Sequence, residues 1–299
     1  MRIRPFEYYA AEDLKDALEK LEEYGLQAKA LAGGTDLVLA MKKKKILPGR
    51  IISLHKLKEL EYVRESGPEV RIGALMKHAD LAANPILQSR FPILCDAVAL
   101  IGSWQIRNIA TIGGNLCTAS PAADSAGPLL ALDARVVIAG AGKERELPLA
   151  SFFKGPGETV LKPHELLKEI VLGIPGARSE GCYLKLMRKR AVDLSLTGVA
   201  FYAEMDREGK RLARATIGLG GVAPTPIRAV EAEALLNGLS RSEAVEAIPE
   251  VAKRAVAAAR PISDVRASAE YRRTIVEAFV RRAGEKIVAR LFDEGKGHR

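Results

Sequence analysis

Two glycine pairs are the residues of this chain best suited to chemistry. One lies in Ala32-Gly33-Gly34-Thr35-Asp36, the other in Thr111-Ile112-Gly113-Gly114-Asn115, and each follows an apolar run. Glycine brings the backbone close to a ligand and reaches positive φ. Successive N–H groups in such a turn form a concavity that binds anions, and a neighbouring hydroxyl adds a donor. Two such turns can grip a pyrophosphate from opposite sides; short glycine motifs also arise as ordinary turns. Neither pair has the GxGxxG or P-loop form, so neither supports a Rossmann or ATPase assignment.

Other reactive residue types are scattered. Cys95, Cys117 and Cys182 are odd in number and far apart, which argues against a disulfide framework or a local zinc or iron–sulfur site. His55, His78, His164 and His298 have no partner in sequence. Trp104 stands beside the second loop, either to stack on a flat ring or to pack in the core. Arg107 reads as a brace of that loop, and Lys42–Lys45 as a solvated face.

The elements that must position these residues follow from periodicity. Residues 11–24 predict a helix through Leu14, Ala17, Leu18 and Leu21, stopped by Gly25. Residues 28–32 predict a buried strand feeding the first glycine pair, 35–41 a helix, and 51–54 a strand. Residues 70–73, 135–139 and 170–174 predict strands, and 91–101 a helix entered through Pro92. Beyond Gly176 the strands come first (183–188, 195–204, 213–219) and the helices later (228–237, 241–258, 268–292), the pattern of a separate α+β domain. Ile275, Phe279, Ile287 and Leu291 mark one face of the last helix.

The 299 residues are 48% hydrophobic and 28% charged, ordinary for a folded chain that needs no disulfide or metal to fold. The formal charge is +9, with much of the excess after Val251. The chain lacks a recognition motif for nucleic acid, and its aromatic content is only 5%, so a nucleic-acid role is not expected. No apolar run approaches the length of a membrane span, the N-terminus has no signal-peptide pattern, and a cytoplasmic location is expected.

Taken together, LAGGTDLVLAMK (31–42), QIRNIATIGGNLCTASPAAD (105–124), YLKLMRKRAVDLS (183–195), GGVAPTPIRAVEAE (220–233) and SDVRASAEYRR (263–273) resemble the FAD-binding medium subunits, or domains, of the molybdenum hydroxylases. That family includes the flavin parts of carbon monoxide dehydrogenase, xanthine dehydrogenase and 4-hydroxybenzoyl-CoA reductase. The resemblance covers nearly the whole chain. It implies an α+β chain: a two-subdomain FAD-binding fold of the vanillyl-alcohol-oxidase (PCMH) type over residues 1–176, divided into 1–55 and 56–176. A C-terminal α+β domain, 177–299, with an antiparallel sheet of three or more strands and helices, follows.

The resemblance also implies roles by position. Leu31, Ala32, Gly33, Gly34, Thr35, Asp36, Leu37 and Val38 form the first pyrophosphate loop. Thr111, Ile112, Gly113, Gly114 and Asn115 form the second, from the opposite side. Asp124 contacts the cofactor, and Lys185 lies near the flavin, where its charge suits the N1–C2 edge that reduction makes negative. Ile101 matches a flavin-ring contact and Ile170 a backbone contact. No metal is expected on this chain. The cysteine-bearing insertion that carries an extra cluster in the 4-hydroxybenzoyl-CoA reductase subunit is missing between Asp124 and Arg135. The implied function is electron transfer, FAD receiving electrons from a 2Fe-2S small subunit, served by a molybdopterin large subunit, and passing them to NAD, a quinone or another acceptor. The implied assembly is a dimer of heterotrimers. The alternative is a self-contained FAD-dependent oxidase or reductase on the same fold.

Overall fold

Asp13 accepts a hydrogen bond from the Asp16 amide and so starts the first helix. The computed structural model describes residues 3–176, 178–189 and 194–293; His298, the 190–193 part of the third resembling segment and the boundary residue 177 lie outside them. β1 (Glu7–Ala10), α1 (Leu14–Tyr24), β2 (Ala28–Leu31), α2 (Leu37–Lys42) and β3 (Arg50–Ser53) build the first unit. Its three strands are parallel in the order β1-β3-β2. Parallel strands of one sheet need crossover connections: α1 carries the chain from β1 to β2 on the far side of β3, burying Ala17, Leu18 and Leu21, and α2 carries it from β2 to β3. The second helix starts at Leu37 rather than Thr35, which leaves a five-residue turn, Ala32 to Asp36, at the end of β2.

The second unit is an antiparallel sheet covered by short helices. In chain order it comprises β4 (Val63–Ser66), β5 (Glu69–Gly73), α3 (His78–Ala83), α4 (Pro85–Arg90), α5 (Pro92–Ala99), α6 (Trp104–Arg107), α7 (Ile112–Cys117) and α8 (Ala126–Ala131). It continues with β6 (Arg135–Gly140), β7 (Lys143–Pro148), the small pair β8 (Phe153–Gly155) and β9 (Glu158–Thr159), and β10 (Leu166–Gly173). The sheet order is β4-β5-β10-β6-β7. Alternate residues of the central strands, Val70, Ile72, Val136, Ile138, Ile170 and Leu172, are buried with Leu81, Leu87, Val98, Ile112, Leu116 and Leu129 from the helices. Ala139, Leu166 and Leu75 join a second cluster with Ala11, Leu18, Leu21 and Ile52, so the first unit rests on the second through a shared core.

The third unit opens with β11 (Ser179–Leu186), β12 (Thr197–Met205), β13 (Leu212–Gly220) and β14 (Ile227–Arg228), an antiparallel sheet in sequence order. α9 (Val230–Ala234), α10 (Arg241–Ala258) and α11 (Ala269–Phe292) follow. The helix expected from residue 228 starts two residues later, because Ile227 and Arg228 pair with Leu219 and Gly218 instead. In α11 the buried stripe is Val276, Val280, Ala283, Ile287 and Leu291; Ile275 and Phe279 sit at its margin. One face of the sheet packs on α10 and α11. The other receives α8 so closely that a Cβ on Gly218 would stand 2.1 Å from the Gly127 carbonyl oxygen.

Candidate functional site

The first glycine loop is held against the second unit. A Cβ on Gly33 would lie 2.1 Å from the Ile109 carbonyl oxygen, so only glycine lets the loop seat there. Gly34 has φ +73°, and a Cβ would strike the side chains of Leu31 and Val38, which close around it. Leu54 donates to the Leu31 carbonyl at 2.9 Å, and Val38 to the Gly34 carbonyl at 3.0 Å, which fixes both ends of the turn. Between them the main-chain amides of Gly33, Gly34, Thr35 and Asp36 donate to no acceptor among the described residues. Four successive uncommitted N–H groups in a tight turn are the donor set that an anion such as a pyrophosphate requires.

The second glycine pair is built differently from the turn expected. It occupies the first turn of α7, with Thr111 as N-cap. Thr111 Oγ1 accepts from the Gly114 amide at 3.1 Å. The Ile112 amide donates to Met76 O at 3.0 Å, Gly113 to Ala74 O at 2.9 Å and Asn115 to Thr111 O at 2.9 Å. These four amides are therefore satisfied within the protein, and only the Thr111 amide of this segment donates to no acceptor among the described residues, so the segment does not repeat the cradle of the first loop. Gly113 serves packing, since a Cβ would stand 2.7 Å from both the Ala74 side chain and its carbonyl oxygen. At Gly114 a Cβ would meet only Thr111 Oγ1, at 3.0 Å. Asn115 Oδ1 accepts from the Ser125 hydroxyl at 2.7 Å.

A cleft of about 170 Å³ separates the two loops; Ala32, Gly33, Leu54 and His55 face Lys77, Asn108 and Thr111 across it. Lys77 forms an isolated antiparallel bridge with Thr111. His55, Lys77 and Asn108 carry no local sequence signal that would have nominated them, because the bridge joins residues far apart in the chain. Behind the loop, His78 is fully buried with neither ring nitrogen hydrogen-bonded among the described residues. Burial, helped by the charge of Arg107, pushes its pKa down to about 4, so the ring is neutral at physiological pH.

Arg107 is the brace expected. It donates to Ile101 O at 2.8 Å and Gly102 O at 3.2 Å, and its guanidinium lies 5.0 Å from the centre of the Trp104 ring. Trp104 is 71% exposed, so it is a rim residue and not part of the core. Next to this brace, Leu100 O accepts from Lys185 Nζ at 2.9 Å. Lys185 also donates to Asp124 Oδ2 at 2.8 Å, while the Tyr183 hydroxyl donates to Asp124 Oδ1 at 2.7 Å. The Lys185 side chain is 1% exposed and that of Asp124 8%. Burial raises the Asp124 pKa and the Lys185 ammonium opposes it. Ile101, Asp124 and Lys185 thus converge at the junction of the second and third units. Ile170 does not join them; it is buried in mid-strand between Ile72 and Val136.

The two C-terminal signature segments fasten this junction. Asp264 accepts from the amides of Arg266 and Ala267 and from the guanidinium groups of Arg266 and Arg272; Arg266 above all holds its carboxyl well below the usual range. Arg272, buried, donates to Leu196 O and Gly221 O. The amides of those same residues reach back to the site: Leu196 N donates to Leu186 O at 3.0 Å, beside Lys185, and Gly221 N to Pro121 O at 2.7 Å, three residues before Asp124. Cys95 and Cys117 are pushed up to about 12 by burial, and Cys182 is raised for the same reason, so none is a ready nucleophile. No group of three or more metal-ligating side chains occurs among the described residues, and no helix among them is long and apolar enough to cross a membrane.

Residues 4–175 match the family described as the FAD binding domain in molybdopterin dehydrogenase, and residues 182–287 match the CO dehydrogenase flavoprotein C-terminal domain. The chain is 34% identical to the carbon monoxide dehydrogenase medium chain of Hydrogenophaga pseudoflava, over 93% of this chain and 95% of that one. It is 33% identical to the glyceraldehyde dehydrogenase medium chain of Sulfolobus acidocaldarius, over 94% and 98%. The solved carbon monoxide dehydrogenase from Hydrogenophaga pseudoflava superposes with a TM-score of 0.92 at 35% identity, over 97% of this chain and 99% of that one. Quinoline 2-oxidoreductase from Pseudomonas putida 86 gives 0.88 at 26% identity, over 98% and 100%.

Proposed function

We propose that this chain, which belongs to the FAD-binding medium-subunit family of the molybdenum hydroxylases, seats the pyrophosphate of its FAD on the Gly33–Asp36 amides. It is an FAD-binding electron-transfer subunit of an oxidoreductase complex. The observation that carries the placement is the run of four uncommitted amides at the end of β2. Leu31 and Val38 shape that turn, and Leu37 opens the helix behind it. Thr111 to Asn115 form the facing wall, with the Thr111 hydroxyl and the Asn115 amide group as its polar side chains.

FAD, when bound, supplies an acceptor able to take electrons singly and release them singly or as a pair. Lys185 holds positive charge at the flavin end of the site. Asp124 and Leu100 O fix that ammonium with two of its three donors and leave the third for a ligand. Ile101 supplies an apolar contact there, and the strand carrying Ile170 supports α7 from below. No acid or base is asked of this chain.

The donor of electrons in this proposal is an iron–sulfur small subunit, and the site of substrate oxidation is a molybdopterin large subunit, the three forming a heterotrimer that dimerises. The names of its relatives, medium chains among them, support a place in a multi-subunit complex. The final acceptor is NAD, a quinone or another carrier. The working location is the cytoplasm, consistent with three free cysteines. The proposed division of the chain is 1–55, 56–176 and 177–299.

Titration of the full chain, and of the chain co-expressed with such subunits, with FAD and FMN tests this function. Saturable quenching of FAD fluorescence with no comparable response to FMN is expected. Failure of FAD to bind in either preparation would refute the proposal.

A further inference from the structure

We propose that Lys77 is the counter-charge for the FAD pyrophosphate, so that the anion is held by amides on one side and by an ammonium on the other. This rests on the FAD assignment above and departs from a symmetric grip by two glycine loops.

A pyrophosphate diester is a dianion, and an anion taken into a partly buried cleft needs opposite charge or a dense set of donors. The first loop offers four amides. The facing wall offers only the Thr111 amide, because those of Ile112, Gly113, Gly114 and Asn115 already have partners among the described residues. That amide and the Thr111 and Asn115 side chains are neutral donors, so a counter-charge on that wall has to come from another residue. Lys77 lines the same cleft as Gly33 and Thr111. Its backbone is fixed by the bridge to Thr111 and by the bond from the His78 amide to Ala110 O at 3.1 Å. Its side chain is half-buried and makes no hydrogen bond or ion pair among the described residues.

Glu61 and Arg107 nearby are committed. Glu61, also on the cleft, is bound to Lys58 at 3.0 Å. Arg107 is engaged by Ile101 O and Gly102 O and stacked on Trp104. His78 is buried behind the wall. His55 lies on the first-unit side, beside the loop that already supplies donors. Among the described residues Lys77 is the uncommitted cation of this cleft.

The test measures binding of FAD, ADP and riboflavin to the full chain at low and high salt, for wild type, Lys77→Gln and Lys77→Arg. ADP carries the pyrophosphate without the flavin, and riboflavin the flavin without the pyrophosphate. At low salt Lys77→Gln should weaken FAD and ADP by roughly ten- to a hundred-fold, the loss of one hydrogen bond to a charged group. Riboflavin binding should stay as in wild type, Lys77→Arg should retain most of the affinity, and the salt sensitivity of FAD binding should shrink in Lys77→Gln. If wild type binds FAD and Lys77→Gln binds FAD and ADP equally well, the proposal is wrong. A parallel loss of riboflavin affinity would also overturn it, because Lys77 would then act on the shape of the loop. Absence of FAD and ADP binding by wild type, both as the full chain and co-expressed with the proposed partner subunits, would bring down the FAD assignment, and this inference with it.

Discussion

Gly33 and Gly114 look alike in sequence and differ in what surrounds them. Alanine at Gly33 must displace the Ile109 carbonyl, a backbone atom that cannot turn aside; a cost of roughly 1–3 kcal/mol is expected from such overpacking, together with weaker FAD binding. Alanine at Gly114 meets only the Thr111 hydroxyl and gains helix propensity, so its stability in urea should stay within about 1 kcal/mol of wild type. His78 sets a second prediction. Its pKa is 6.5 when unfolded and about 4 when folded, so between these values the unfolded chain binds more protons and stability falls as pH is lowered. At pH 5 the loss is about 2 kcal/mol. Urea unfolding at pH 7 and pH 5 should show it, and His78→Leu should abolish that part of the pH dependence. The glycine pairs were legible because glycine is informative by itself. Their reasons were not, since Ile109 and Ala74 are contacts the sequence does not display.

Elements with strong periodicity were legible: α1, β2, β6, β11 to β13, α10 and α11 all lie where the pattern puts them, within a few residues. The short polar edge strands β1, β4 and β7 were not, because their residues are largely exposed and show no alternation. The second glycine pair misled because Thr111 caps a helix whose first turn contains both glycines, and a glycine pair suggests a turn. The fastening role of SDVRASAEYRR was equally hidden, because Arg272 acts through carbonyl groups of Leu196 and Gly221. Arg272→Met strands those carbonyls and leaves Asp264 without one of its two guanidinium partners, and should cost about 3 kcal/mol or more in urea unfolding. Lys185→Met alone, leaving Asp124 buried without its ammonium, should cost a similar amount; adding Asp124→Asn should recover part of it. Equal losses in the single and double variants would argue against a coupled pair.

At the scale of the whole molecule, the candidate site is made of junctions. The cleft lies between the first and second units, and the Asp124–Lys185 pair between the second and third. The resemblance located both sets of residues in the sequence, but the sequence did not reveal that one loop leaves four amides open to a ligand and the other only that of Thr111. A ligand that bridges two units should stabilise the molecule as one: FAD at a hundred times its Kd should add about 2.7 kcal/mol to unfolding. The most direct measurement of the central claim is amide hydrogen exchange, residue by residue, with and without FAD. The amides of Gly33, Gly34, Thr35 and Asp36 should exchange quickly alone and become protected on binding, while those of Ile112 to Asn115 should be protected in both states. Protection gained at Ile112 to Asn115 with none at Gly33 to Asp36 would contradict the account.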